Sequence, residues 1–122
     1  MIGYTTLGTN DLPRAAAFYD QLLGSIGAKR WMDYPTFIMW SCAKDKPALA
    51  VIKPYDGKAA TAGNGTMVAL IMDSKEKVDA LHAKAMELGG KDEGAPGPRG
   101  DGFYAAYFRD LDGNKLNAFF MG

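Results

Sequence analysis

The sequence predicts an α+β fold made by using one small module twice, and two observations carry this. Residues 4 to 29 and 67 to 92 overlay without a gap, YTTLGTNDLPRAAAFYDQLLGSIGAK standing over MVALIMDSKEKVDALHAKAMELGGKD. Leu7 falls on Leu70, Ala17 on Ala80, Phe18 on Leu81 and Gly27 on Gly90. Identities are few, but both stretches run through the same order: an extended apolar segment, a polar turn, an amphipathic helix and a glycine stop. The second observation is that each helix is followed by further short apolar runs separated by turn residues, so each module reads as strand, helix and about three strands.

The elements follow in order. Ile2 to Thr9 is short, β-branched and partly alternating, which suits a strand. Asn10-Asp11-Leu12-Pro13 starts a helix, with Asp11 as N-cap and Pro13 placed where the first turn needs no N–H donor. Ala15, Phe18, Tyr19, Leu22 and Leu23 recur at helical spacing until Gly24 to Gly27. A short strand is expected near Arg30 to Asp33. Phe37 to Ser41 and Ala48 to Lys53 follow as strands, joined by a turn over residues 43–47. Pro54 to Gly65 is rich in turn formers and poor in large apolar residues, and reads as a connector. Thr66 to Met72 is the second leading strand, Ser74 caps a helix from Lys75 to about Leu88, and Gly89-Gly90 stops it. Residues 92–102 carry two prolines and four glycines, and this composition predicts a long exposed loop. Phe103 to Arg109 and Lys115 to Phe120 are strands around Asp110-Leu-Asp-Gly-Asn114, a tight hairpin turn.

At 122 residues and 48% apolar content the chain can bury one good core, and two independent domains would each be marginal. A single domain over 1–122 is expected, with module one at about 1–57, a linker at about 54–65 and module two at about 66–122. Basic and acidic residues balance at 14 each, without long runs of one sign. That excludes nucleic acid and an anionic membrane as expected partners. Met1-Ile2-Gly3-Tyr4 does not open a signal peptide, and no run approaches the roughly 20 apolar residues that span a bilayer. A cytoplasmic chain is expected. Cys42, the lone cysteine, reads as core filler rather than a nucleophile.

Four segments together resemble the vicinal oxygen chelate superfamily, which groups glyoxalase I, bleomycin-resistance proteins and extradiol dioxygenases. They are Thr9-Asn-Asp-Leu-Pro-Arg-Ala-Ala-Ala-Phe-Tyr19, Val78-Asp-Ala-Leu-His82, Gly94-Ala-Pro-Gly-Pro-Arg99 and Asp110-Leu-Asp-Gly-Asn-Lys-Leu116. The resemblance implies tandem βαβββ modules forming curled mixed sheets around a cleft, commonly in a homodimer. It also implies a metal held by His, Glu or Gln from four positions. Those positions correspond here to Tyr4 and Met67 on the leading strands, to Asn117, and to Ala50, with Val51 or Ile52 as alternatives to Ala50. None offers the imidazole or carboxylate set that a catalytic divalent ion needs. No metal and no cofactor are expected, and metal-dependent glyoxalase I or extradiol chemistry is not.

What the pattern leaves is a site of mixed apolar and polar side chains. Strand alternation puts Tyr4 and Thr6 on one face, opposite Thr5 and Leu7, and puts Met67 and Ala69 opposite Val68 and Leu70. Asn117 shares its face with Lys115 and Phe119. Tyrosine, methionine and one amide combine apolar contact with orientation, as a small-molecule pocket requires. The expected ligand-binding residues are Tyr4, Thr6, Trp40, Met67, Arg99, Tyr107 and Asn117, with a small organic ligand as partner. Trp40, Tyr104 and Tyr107 could each be core, interface or pocket. His82 reads as a packing or surface residue, and Asp110 and Asp112 as turn residues. Two function classes follow: a metal-free binding protein, or a lyase, isomerase or dioxygenase with a non-standard metal site or with Tyr4 and Asn117 as hydrogen-bonding groups.

Overall fold

Caps set the helix boundaries in this chain. In a computed structural model describing Met1 to Gly122, the Asp11 side chain accepts the Arg14 N–H at 3.1 Å, and the first helix runs Leu12–Gly24 with Pro13 in its first turn. Ser74 accepts the Lys77 N–H at 3.2 Å, and the second runs Lys75–Glu87. Both have 13 residues, and their ends coincide under the overlay that aligns Leu7 with Leu70. The glycine stops differ by one position: Gly27 takes the positive φ after the first helix, Gly89 after the second.

The chain divides into two compact units, Met1–Thr61 and Ala62–Gly122. The first holds β1 (Tyr4–Gly8), α1 (Leu12–Gly24), β2 (Lys29–Tyr34), β3 (Phe37–Ser41) and β4 (Ala48–Ile52). The second holds β5 (Val68–Ile71), α2 (Lys75–Glu87), β6 (Lys91–Pro98), β7 (Phe103–Arg109) and β8 (Lys115–Met121). Each unit is βαβββ with one four-stranded mixed sheet, ordered β1-β4-β3-β2 and β5-β8-β7-β6. The leading strand of each pairs in parallel with the last, and the other pairings are antiparallel. Registers repeat as well: Thr5 lies opposite Leu49 and Thr6 opposite Ala50, as Val68 lies opposite Leu116 and Ala69 opposite Asn117.

In each unit one helix covers one sheet face. On α1 the stripe Leu12, Ala15, Ala16, Phe18, Tyr19, Leu22 and Leu23 is buried, and Leu7, Ile38, Trp40, Leu49 and Val51 are buried on the sheet beneath it. Burying side chains of this kind contributes about 1.5–3 kcal/mol each. Trp40 is 1% exposed, its ring 5.7 Å from that of Tyr19, and its indole N–H donates to Asp20 at 2.9 Å. Asp20 also takes two hydrogen bonds from the Arg30 guanidinium, at 2.9 and 2.7 Å. On α2 the buried stripe is Val78, Leu81, His82 and Ala85, and Ala106, Phe108, Leu116 and Ala118 are buried below it. No helix is long and apolar enough to cross a membrane.

Two expectations need correction. The segment read as an exposed loop is largely β6, an edge strand paired with β7 only. Its register shifts on either side of Gly94, and an edge position lets Pro96 and Pro98 omit donors that no neighbour needs. Cys42 is exposed rather than core, because it lies just past the end of β3, where alternation no longer places it. Other readings hold: Asp110 accepts the N–H groups of Asp112 and Asn114, both at 2.9 Å, with Gly113 at φ 86°. His82 packs, its Nε2 3.0 Å from Asp92 on β6.

Two outcomes test this account. A Cβ at Gly90 would lie 2.8 Å from the Ala85 carbonyl oxygen and 2.9 Å from that of Arg109, both backbone atoms that cannot swing away. Gly90→Ala is expected to lower stability by about 1–3 kcal/mol, read from urea midpoints. Hydrogen bonds from Arg30, then Trp40, hold the Asp20 carboxyl below its ordinary 3.8 despite partial burial. A lowered folded value stabilises above 3.8, and that contribution disappears as pH falls through the folded value. The urea midpoint of Asp20→Asn should therefore lie below wild type near neutrality and fall less steeply on acidification below about pH 4; parallel profiles would refute this.

Candidate functional site

A helix covers only one face of its sheet, so alternation assigns the remaining side chains to the opposite face. In the first unit that face carries Tyr4 and Thr6 on β1 with Ala50 beside Thr6 on β4. Tyr4 is 56% exposed and meets Phe37 edge to face at 6.0 Å. Trp40, expected at the ligand site, instead belongs to the helix-covered face and is core, because it points the same way as Ile38 two residues before it. Tyr104, on the helix side of β7, donates its hydroxyl to Asp79 at 2.6 Å, and that carboxylate pushes the phenol above its usual range.

In the second unit the helix-free face carries Tyr107 on β7, opposite Asn117 on β8, with Ala69 on the far side of Asn117. Lys115 and Phe119 flank Asn117 two residues away along β8, and Phe119 stacks on Phe103 at 5.4 Å. The Arg99 guanidinium lies 5.5 Å from the centre of the Tyr107 ring, and the Lys115 ammonium 5.4 Å from it. Met67 immediately precedes β5 and is partly exposed. Thus Arg99, Tyr107 and Asn117 come together on one face. Lys115 joins them, a contact that alternation allowed but that only cross-strand register makes.

Asn117 is the unusual member. It is 1% exposed, and its side-chain oxygen is buried without a hydrogen-bond partner. Leaving a buried acceptor unsatisfied costs about 1–3 kcal/mol, so the position is held at a cost to stability.

Register places Ala50 against Thr6 as Asn117 stands against Ala69, making Ala50 the counterpart of Asn117. Val51 points to the helix and is buried in the core. Tyr4, Ala50, Met67 and Asn117 present one phenol, one methyl, one thioether and one amide, a set that does not fit a divalent ion. No three His, Cys, Asp or Glu side chains gather elsewhere in an arrangement that could hold one.

Fold and sequence define the class. Residues 1–118 match the Glyoxalase/Bleomycin resistance protein/Dioxygenase superfamily, and the chain belongs to it. It is similar to a glyoxalase/bleomycin resistance protein from Albidiferax ferrireducens T118, with 34% identity, a TM-score of 0.91, and 100% of this chain and 99% of that one covered. It is also similar to a hypothetical protein from S. aureus, at 26% identity and TM-score 0.76, with 98% and 92% covered. A lactoylglutathione lyase from Agrobacterium tumefaciens shares the fold at 23% identity and TM-score 0.74, with 98% and 92% covered. No curated protein matches the sequence.

Replacing Asn117 by leucine removes the unpartnered acceptor while keeping similar volume. Asn117→Leu is expected to match or exceed wild-type stability, by up to about 1–3 kcal/mol. Thermal and urea unfolding would check this, and a marked loss of stability would show that the amide makes an indispensable bond.

Proposed function

We propose that this chain is a small-molecule binding protein of its superfamily, holding a partly apolar organic ligand without a metal on the face of its second sheet turned away from the helix. The observation that carries the reading is the buried, unpartnered oxygen of Asn117 beside Tyr107 and Phe119. An acceptor left unpaired by its own chain gains most from a donor on a ligand, and the aromatic neighbours supply apolar contact. Met67 of the same unit is a further contact residue in this reading. The reading includes a homodimer, as the family resemblance implies; exposed Trp31, Met32 and Tyr34 on edge strand β2 supply apolar surface for one.

Elemental analysis of the untagged protein, before and after incubation with nickel, zinc, iron(II) and manganese, is expected to find metal far below one equivalent. Light scattering on the same sample should give a dimer mass. A thermal-shift screen of small organic compounds should find stabilising ligands whose effect is lost in Asn117→Leu. Near-stoichiometric metal that disappears in Met67→Ala or Asn117→Ala would overturn the reading, as would hits indifferent to Asn117.

A further inference from the structure

The chain as a whole is neutral, but the helix-free face of the second unit is not. Lys91 and Arg109 are cross-strand partners, Arg109 and Lys115 likewise, and Arg99 lies over the Tyr107 ring. Against these four cations stands one carboxylate, Glu93. It is occupied by Arg109 at 2.8 Å, whose hydrogen bond is the main reason the Glu93 carboxyl lies below its usual range. Asp92 turns the other way, to His82.

Two of the cations are arranged rather than scattered. Arg99 donates to the backbone oxygens of Ala95, Gly97 and Pro98, at 2.7, 2.9 and 3.4 Å. These neutral acceptors orient the guanidinium and leave its charge uncompensated. Its position depends on missing side chains: a Cβ at Gly97 would come 3.2 Å from one terminal nitrogen of Arg99. At Gly94 it would come 3.3 Å from the other and 3.1 Å from the Tyr107 ring. Glycines therefore let Arg99 fold back over its own strand onto Tyr107. Lys115 approaches the same ring, and the carboxylate within reach of its charge, Glu93, is hydrogen-bonded to Arg109. Along the face from these charges come Asn117 with its unpaired acceptor, then the stacked Phe119 and Phe103.

Resting on the binding reading above, we infer that this face takes an organic anion. Its oxyanion, a carboxylate or similar group, engages Arg99 and Lys115 beside Tyr107. Its flat apolar body lies toward Phe119, and a hydroxyl or amine on that body donates to Asn117. Arginine held in a fixed orientation suits a planar carboxylate better than a mobile lysine would, and Lys115 adds a second positive charge.

The test uses two probes of the same shape, 4-hydroxybenzoate and neutral 4-hydroxybenzamide, titrated into the full chain and followed by backbone amide shifts. The carboxylate is expected to bind about tenfold more tightly than the amide, the value of one charge-assisted contact, with perturbations centred on Tyr107, Lys115 and Asn117. The difference should shrink in high salt. It should close in Arg99→Gln and in Gly94→Ser, which crowds Arg99 without removing its charge, and narrow in Lys115→Met. Equal affinity for the two probes, with both mapping to Asn117, would overturn the anion inference while leaving the binding reading intact. A carboxylate preference unchanged in Arg99→Gln and Lys115→Met, or no response of this face to either probe, would also overturn it.

Discussion

Each sheet in this protein has one helix, and that helix can cover only one face. Most of the architecture follows from this limit. Side chains alternate along a strand, so residues under the helix must be apolar and well packed, whereas the other face also admits polar and charged side chains. Trp40 and Tyr19 on the covered side of the first unit, and Phe108 and Leu116 in the second, are wholly buried. The opposite faces instead carry threonine, tyrosine, methionine, asparagine and lysine. Division of labour between the two sides of a sheet separates what holds the fold from what can change its chemistry.

The duplication was legible because it is written in caps and periodicity, both local signals. Asp11 and Ser74, the two apolar stripes and the closing glycines mark the same helix twice, and the structure gives both helices the same length. Register was also recoverable: placing Leu116 on Leu49 puts Asn117 on Ala50, the equivalence that the parallel pairings show. Strand β6 was not legible, since glycine and proline oppose a strand on composition, and only its place at the sheet edge makes them tolerable. The chemical type of Trp40 suggests a ligand site, whereas alternation with Ile38 places it under the helix. The approach of Arg99 and Lys115 to one ring depends on a backward fold of a side chain and on pairing across β7 and β8, neither of which has a local signature.

Membership of the superfamily does not by itself supply a coordinating set of side chains. The positions that the resemblance marks for metal ligands carry Tyr4, Met67, Asn117 and Ala50, which do not form a set suited to a divalent ion. Asn117 is the one buried polar side chain among them, and its oxygen has no hydrogen-bond partner. Core drift alone would favour an apolar residue at such a place, since an unpaired acceptor weakens the fold. The second unit therefore carries the more specialised face. The first presents Tyr4, Thr6 and Ala50 at the corresponding sites and gathers its charged contacts instead around Asp20, on the helix itself.

Strand β6 also limits how copies of this chain can meet. An open sheet edge offers a row of free amide and carbonyl groups to any passing strand, which is how sheet proteins join into fibrils. Here that edge has two prolines without donors, a register broken on both sides of Gly94, and three of its carbonyls occupied by the Arg99 side chain. The arginine that orients charge over Tyr107 thus also closes the border of the sheet. Association along this side by adding strands is blocked, and contacts between copies are left to side-chain surfaces, whose specificity selection can adjust one residue at a time.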